Sequence, residues 1–191
     1  VAVLRAVVER VEPVAESECR KRTQGVECNL SIFLDEDPRL PPNAFQTEKN
    51  GKPIIIFTMA LARQAKNTDE LAFILGHEAA HHIRGHIPQT QQTAVLGAVL
   101  AGVLAQAGGA NASTISMAQD FGATVGSRAF SKDFELQADQ LGTIIAARAG
   151  YDPVRGAQYF NRVPDPGDRF LGSHPPNADR IRIVRETASK L

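Results

Sequence analysis

Five consecutive residues, His77-Glu78-Ala79-Ala80-His81, have the types and spacing for metal chemistry. On a helix, residues four apart share a face, so His77 and His81 point the same way and can grip one metal ion. Glu78 stands about 100° round the helix. From there it flanks the metal and can take a proton from water that the metal activates. Imidazole nitrogens suit zinc, and a catalytic zinc needs a third protein ligand with one position left open.

The segment Glu135-Leu136-Gln137-Ala138-Asp139 offers that ligand. Glu135 and Asp139 are four apart and share a helix face. Glu135 is the expected third metal ligand. A metal-bound histidine usually gives its other N–H to a carboxylate, so Asp139 is expected behind one zinc histidine, His77 being favoured. Alone, such an acidic pair reads as a solvated helix face; downstream of His-Glu-x-x-His it reads as part of a site. In Gly172-Ser173-His174-Pro175-Pro176 the prolines stiffen the segment that carries His174. That makes His174 a candidate for the cleft wall, the plain alternative being a capping or core histidine. His82 and His86 fall off the metal-facing side and read as solvent or helix-end residues.

The elements that must position these groups follow from periodicity. Asn67-Thr68-Asp69-Glu70 has the spacing of a capping box, Leu71, Ile74, Leu75 and Ala79 form an apolar stripe, and Gly85 is a plausible stop. A second helix is expected over 131–149, with Ser131 as N-cap and Gly150 as its end. Residues 1–22 repeat Val and Leu at helical spacing, with Pro13 kinking or splitting the segment. Residues 28–34, 43–48 and 53–57 read as short strands, the last two joined at Asn50-Gly51, and a small antiparallel sheet is expected ahead of the histidine helix. Ile54, Ile55 and Ile56 imply that the last strand is covered on both faces. A short helix is expected over 59–66. Further on, a short helix from Tyr151-Asp152-Pro153 and another over 177–188 are expected.

From Ile87 to Gln119 there is no Asp, Glu, Lys or Arg. The apolar run over 94–105 is short for a membrane span of about twenty residues. It reads as a helical hairpin buried against the catalytic helix; the sharper alternatives are a lid over the cleft or a surface touching a membrane or a partner. Composition describes a globular chain of 191 residues, 43% hydrophobic, with 21 basic residues balancing 21 acidic ones. Without a basic excess, nothing points to nucleic acid. Length favours one domain, 1–191. Cys19 and Cys28 lie outside any Cys-x-x-Cys and away from the histidines, which argues against a thiolate site. They either close a small disulfide loop, implying an oxidising compartment, or stand as separate buried thiols. The chain starts at Val1 without a signal-peptide pattern, as a mature or trimmed fragment would.

The three motifs together, His77 to His81, Glu135 to Asp139 and Ser173 to Pro176, resemble those of the M48 zinc metallopeptidases. Asn43-Ala44-Phe45 resembles that family's strand beside the cleft, and Gly150-Tyr151-Asp152-Pro153 its segment after the Glu helix. The order and spacing match from roughly residue 42 to 185. The resemblance implies an α+β fold of the gluzincin type, mostly helical. It implies one zinc ion on His77, His81 and Glu135, with Glu78 as general base and Asp139 behind the ligands. It implies that His174 faces the cleft, either to steady the tetrahedral intermediate or, in a latent state, to block the metal. Arg180 matches an arginine that follows the His-Pro motif and is expected near the acidic residues. Gln140 departs from the family, which often has a basic residue there. The branch resembled is the soluble or lipoprotein-like bacterial one, which implies the periplasm or cell envelope.

The expected activity is endopeptidase cleavage of unfolded or damaged protein held as an added strand along 43–45. The alternative is a latent or non-catalytic zinc-stabilised binding module, its cleft blocked by His174 or by residues 87–127.

Overall fold

Residues 1–128, 131–167 and 174–191 are described by the computed structural model. Helix α1 (Ala2–Arg22) buries Leu4, Val7, Val11, Ala15 and Cys19 along one stripe and runs unbroken through Pro13. Apolar contacts on both sides of the proline offset the roughly 3 kcal/mol that its missing N–H and ring clash cost. Cys19 and Cys28 are joined as a disulfide that fastens the end of α1 to the approach of the first strand.

The sheet holds β1 (Ser31–Asp35), β2 (Ala44–Lys49) and β3 (Lys52–Thr58) in the order β1-β3-β2. The β2–β3 hairpin is antiparallel, and positive φ at both Asn50 and Gly51 gives it the tight turn that Asn-Gly favours. The pair β1–β3 is parallel, so the sheet is mixed rather than antiparallel throughout. The proline-rich connection between β1 and β2 makes no hairpin. It carries the chain past the future position of β3, and β2 becomes an edge. Ile55 and Phe57 are fully buried, whereas Ile54 and Ile56 are only half-covered, so β3 is dry on one face alone.

After α2 (Met59–Gln64) comes α3 (Thr68–Ile83), the most enclosed helix of the fold. Asn67 caps it, accepting from the Glu70 N–H at 3.0 Å. The Glu70 carboxylate reaches the Lys66 N–H, one residue short of the expected capping-box partner. Arg162 clamps it at 2.7 and 2.6 Å. Gly85, at φ +66°, ends α3 and turns the chain into the next helix.

Helices α4 (His86–Ala107) and α5 (Ala112–Arg128) form an antiparallel hairpin. It is not buried against α3: Val95, Leu96, Val99, Leu100, Val103 and Leu104 are all more than half exposed. Helix α6 (Ser131–Arg148) packs along α3. Next come α7 (Pro153–Gly156), capped by Asp152, a 3₁₀ turn (Ala157–Asn161) and α8 (Asn177–Ala188).

The α3–α6 crossing is set by two glycines. A Cβ on Gly142 would stand 2.7 Å from the His77 nitrogen and 2.9 Å from its Cα, and one on Gly76 would stand 2.8 Å from the Gly142 carbonyl oxygen. These are backbone atoms, which cannot yield as a side chain would. Gly142→Ala must push α6 away from α3, and the overpacking, about 1–3 kcal/mol, opposes the roughly 1 kcal/mol of helix propensity that alanine adds. We expect a lower melting temperature and a lower metal content for Gly142→Ala. Gly108→Ala, whose Cβ meets nothing nearer than 3.5 Å, is the silent control. Equal metal content in both variants would remove the crossing from the account of the site.

Candidate metal centre

Because α3 and α6 run side by side, the histidines of one helix meet the acids of the other. His77 Nε2 and His81 Nε2 lie 3.0 Å apart. Glu135 Oε2 is 3.5 Å from His77 Nε2, and Glu135 Oε1 is 3.3 Å from His81 Nε2. A tetrahedral zinc with bonds of about 2.0–2.2 Å separates its ligand atoms by roughly 3.3 Å. The three side chains therefore fit such an ion. They also form the one cluster of metal-type donors found among the described residues.

With both Nε2 atoms turned to a common point, each Nδ1–H needs an acceptor elsewhere. His77 Nδ1 donates to Asp139 Oδ1 at 2.9 Å. Asp139 is fully buried and accepts twice more from Arg180, at 2.7 Å from Nε and from Nη2. Arg180 lies over the Phe160 ring, 3.9 Å from its centre, and its Nη2 is 3.5 Å from Glu135 Oε2. The guanidinium thus braces both acids of α6.

His81 has a partner that sequence reasoning missed. His86 is buried, and its Nδ1 lies 2.9 Å from His81 Nδ1. Its ring stacks on Phe134, and its Nε2 is 3.4 Å from Gln137 Oε1. Burial first, and then the positive character of His81, push His86 down to about 4, so it is neutral and can accept the His81 N–H. His86 therefore does for His81 what Asp139 does for His77. His86 is a helix-end residue, the first of α4, but it is not in solvent and not off the metal side, because Gly85 folds the chain back over α3. His82 is buried too, its Nε2 donating to the Glu27 carbonyl oxygen at 2.6 Å. It ties α3 to the disulfide loop and faces away from the metal side.

The charges are arranged around a cation. Burial disfavours an imidazolium at His77, but Asp139 and Glu135 outweigh it and raise this histidine to about 10. Burial would raise Glu135 as well, and His174, His77 and His81 hold it well below the ordinary carboxylate range. Asp139 is lowered against its burial by Arg180 and His77. Glu78 differs: burial raises it, and the pull of His77, His81 and Arg180 does not fully offset that. One carboxylate is set to stay ionised, and its neighbour is set to hold a proton more readily.

The cleft over this centre measures about 490 Å³. His77, Glu78, His81 and Glu135 form its floor, and Asn43, Ala44 and Phe45 at the start of β2 form one wall. His174 reaches the same cleft, its Nδ1 3.3 Å from Glu135 Oε2 and its side chain about half exposed. Gly172 and Ser173 of that motif lie outside the described residues. Ile87, Thr90 and Ser127, at the base of the α4–α5 hairpin, close the opposite side.

The sequence profile of peptidase family M48 matches residues 4–188. The chain belongs to peptidase family M48. As an M48 metallopeptidase domain it has named relatives of modest identity. It is 29% identical to the mitochondrial metalloendopeptidase OMA1 of Saccharomyces cerevisiae over 169 residues, 83% of this chain and 47% of that protein. It is 29% identical to the putative beta-barrel assembly-enhancing protease of Vibrio cholerae over 141 residues, 65% of this chain and 28% of that one. It is 24% identical to the beta-barrel assembly-enhancing protease of Escherichia coli over 157 residues, 72% of this chain and 31% of that protein. The chain spans less than half the length of each of these relatives.

Proposed function

We propose that this M48 domain is a zinc-dependent endopeptidase in which His77, His81 and Glu135 hold the ion. The observation that carries the reading is the convergence of two imidazole nitrogens 3.0 Å apart on the Glu135 carboxylate, one oxygen of which stands 3.5 Å from His77 Nε2 and the other 3.3 Å from His81 Nε2, each imidazole backed by its own acceptor. Zinc there supplies Lewis acidity, which polarises the scissile carbonyl and makes water a competent nucleophile near neutral pH. Glu78 accepts the proton of the attacking water and delivers it to the leaving amine. Its raised proton affinity suits a group that must both take and return a proton. His174, on the cleft wall, donates to the oxygen that gains charge as the carbonyl is attacked.

Edge strand β2 offers its main chain to an extended substrate, and Phe45, 41% exposed, offers an apolar contact. Recognition by main-chain pairing requires a strand-like segment rather than a particular sequence. Unfolded or damaged protein is therefore the proposed substrate class. The Cys19–Cys28 disulfide supports an oxidising compartment, and we place the enzyme in the bacterial periplasm or cell envelope.

One contact favours a latent form: His174 Nδ1 stands 3.3 Å from Glu135 Oε2, where it competes for the ligand carboxylate. The test combines metal analysis with cleavage of casein across a chelator titration. Cleavage should fall in step with loss of one zinc per chain and return when zinc is restored. One retained zinc with no cleavage of casein by the untreated protein would replace the enzyme reading with the latent one.

A further inference from the structure

The α4–α5 hairpin reverses the ordinary arrangement of apolar residues in a water-exposed helix pair. Its inner seam is built from small residues. A Cβ on Gly97 would stand 2.1 Å from the Gly122 carbonyl oxygen, and one on Gly126 would stand 2.0 Å from that of Thr93. The two backbones touch. From 95 to 104 the large aliphatic residues of α4 all face out: Val95, Leu96, Val99, Leu100, Val103 and Leu104 are 54–73% exposed. At 100° per residue they cover about half the circumference of α4. In water, helix pairs put large residues in the seam and polar ones outside. Small residues in the seam with large ones outside is the pattern of helices that pack together within lipid, where the surroundings are as apolar as leucine.

We propose that α4 lies along a lipid bilayer and buries this aliphatic face at the acyl–headgroup boundary of one leaflet, while α5 covers its opposite side. Two observations favour lipid over a protein partner. No charged residue occurs from 87 to 119, so the face has no ionic rim that would orient a partner. The face is an unbroken half-cylinder of Val and Leu, without the pockets or aromatic anchors on which protein interfaces depend. No helix among the described residues is long and apolar enough to cross a membrane. The α5 helix exposes Ser116, Asp120 and Thr124, groups suited to headgroups and water, and beside them Met117 and Phe121, which extend the apolar surface onto its flank. Docking in this way sets the cleft beside the bilayer, because Ile87 and Thr90 at the base of α4 line it. Segments of protein lying at the membrane surface then become the substrates within reach.

Flotation with phosphatidylcholine vesicles tests this, with Leu100→Trp as a depth reporter in a chain that has no tryptophan of its own. The protein should float with neutral vesicles at both about 0.15 M and about 1 M NaCl, because no charge is involved. The Trp emission should shift to the blue and be quenched by lipids brominated on the acyl chain. The triple variant Leu96→Asn, Leu100→Asn, Leu104→Asn should float at least about tenfold less, while its helix content and cleavage of a short peptide stay unchanged. Binding only to anionic vesicles and released by high salt would overturn the proposal. So would a wild-type protein that stays behind as a monomer. A protein that fails to float but forms a dimer lost in the triple variant would assign the face to a second copy instead.

Discussion

Glu78→Gln should lower cleavage of casein by about 10²–10⁴-fold while each chain keeps its zinc. The substitution preserves size and shape but leaves an amide that cannot take a proton at neutral pH. The metal donors are untouched, since Glu78 stands beside the His77–His81 pair on α3 and is not one of the three converging atoms. Substrate held along β2 by main-chain hydrogen bonds should still bind, so the loss should appear in kcat with KM little changed. His81→Ala is the contrasting variant: it should lose zinc and activity together. An unchanged rate in Glu78→Gln would refute the base assignment. A loss accompanied by loss of zinc would move Glu78 from proton transfer to metal binding.

Some of this site is legible in the sequence because it rests on helix pitch. Two residues four apart must share a face, so the pairings of His77 with His81 and of Glu135 with Asp139 are local facts that the sequence carries. Asn67 as a cap and Gly85 as a stop are local in the same sense. What was not legible depends on how distant segments meet. His86 reads as a helix-end residue until Gly85 turns it back onto His81 and α6 supplies Phe134 and Gln137. The parallel pairing of β1 with β3 depends on the path of the connecting loop, not on either strand. The uncharged stretch announced a hairpin, but composition does not say which side of a helix faces in. A hairpin with a seam of small residues and one with a seam of large residues have the same apolar content. A signal was available for the α3–α6 crossing. Gly76 and Gly142 each sit inside a metal-bearing helix at a cost of about 1 kcal/mol, and an interior glycine that is kept despite that cost marks a close approach.

Asp139 is where stability and metal binding can be separated. Asp139→Ala should destabilise the fold by about 3–5 kcal/mol, because it strands the buried Arg180 guanidinium. In a chain of this length that lowers the melting temperature by roughly 6–20 °C. Zinc affinity should fall as well, by about 10–100-fold, since His77 loses the acceptor that fixes its ring. The freed Arg180, already 3.5 Å from Glu135 Oε2, would also draw that carboxylate away from the histidines. The double variant Asp139→Leu, Arg180→Met removes both charges and fills the space with apolar atoms. An ion pair replaced whole costs little, so most of the lost stability should return. The zinc affinity should not return, because His77 Nδ1 still faces no acceptor. Thermal unfolding with and without zinc, together with zinc titration of the three proteins, reads both quantities. If the double variant regains full zinc affinity, Asp139 acts on the metal only by restraining Arg180, and its hydrogen bond to His77 is dispensable.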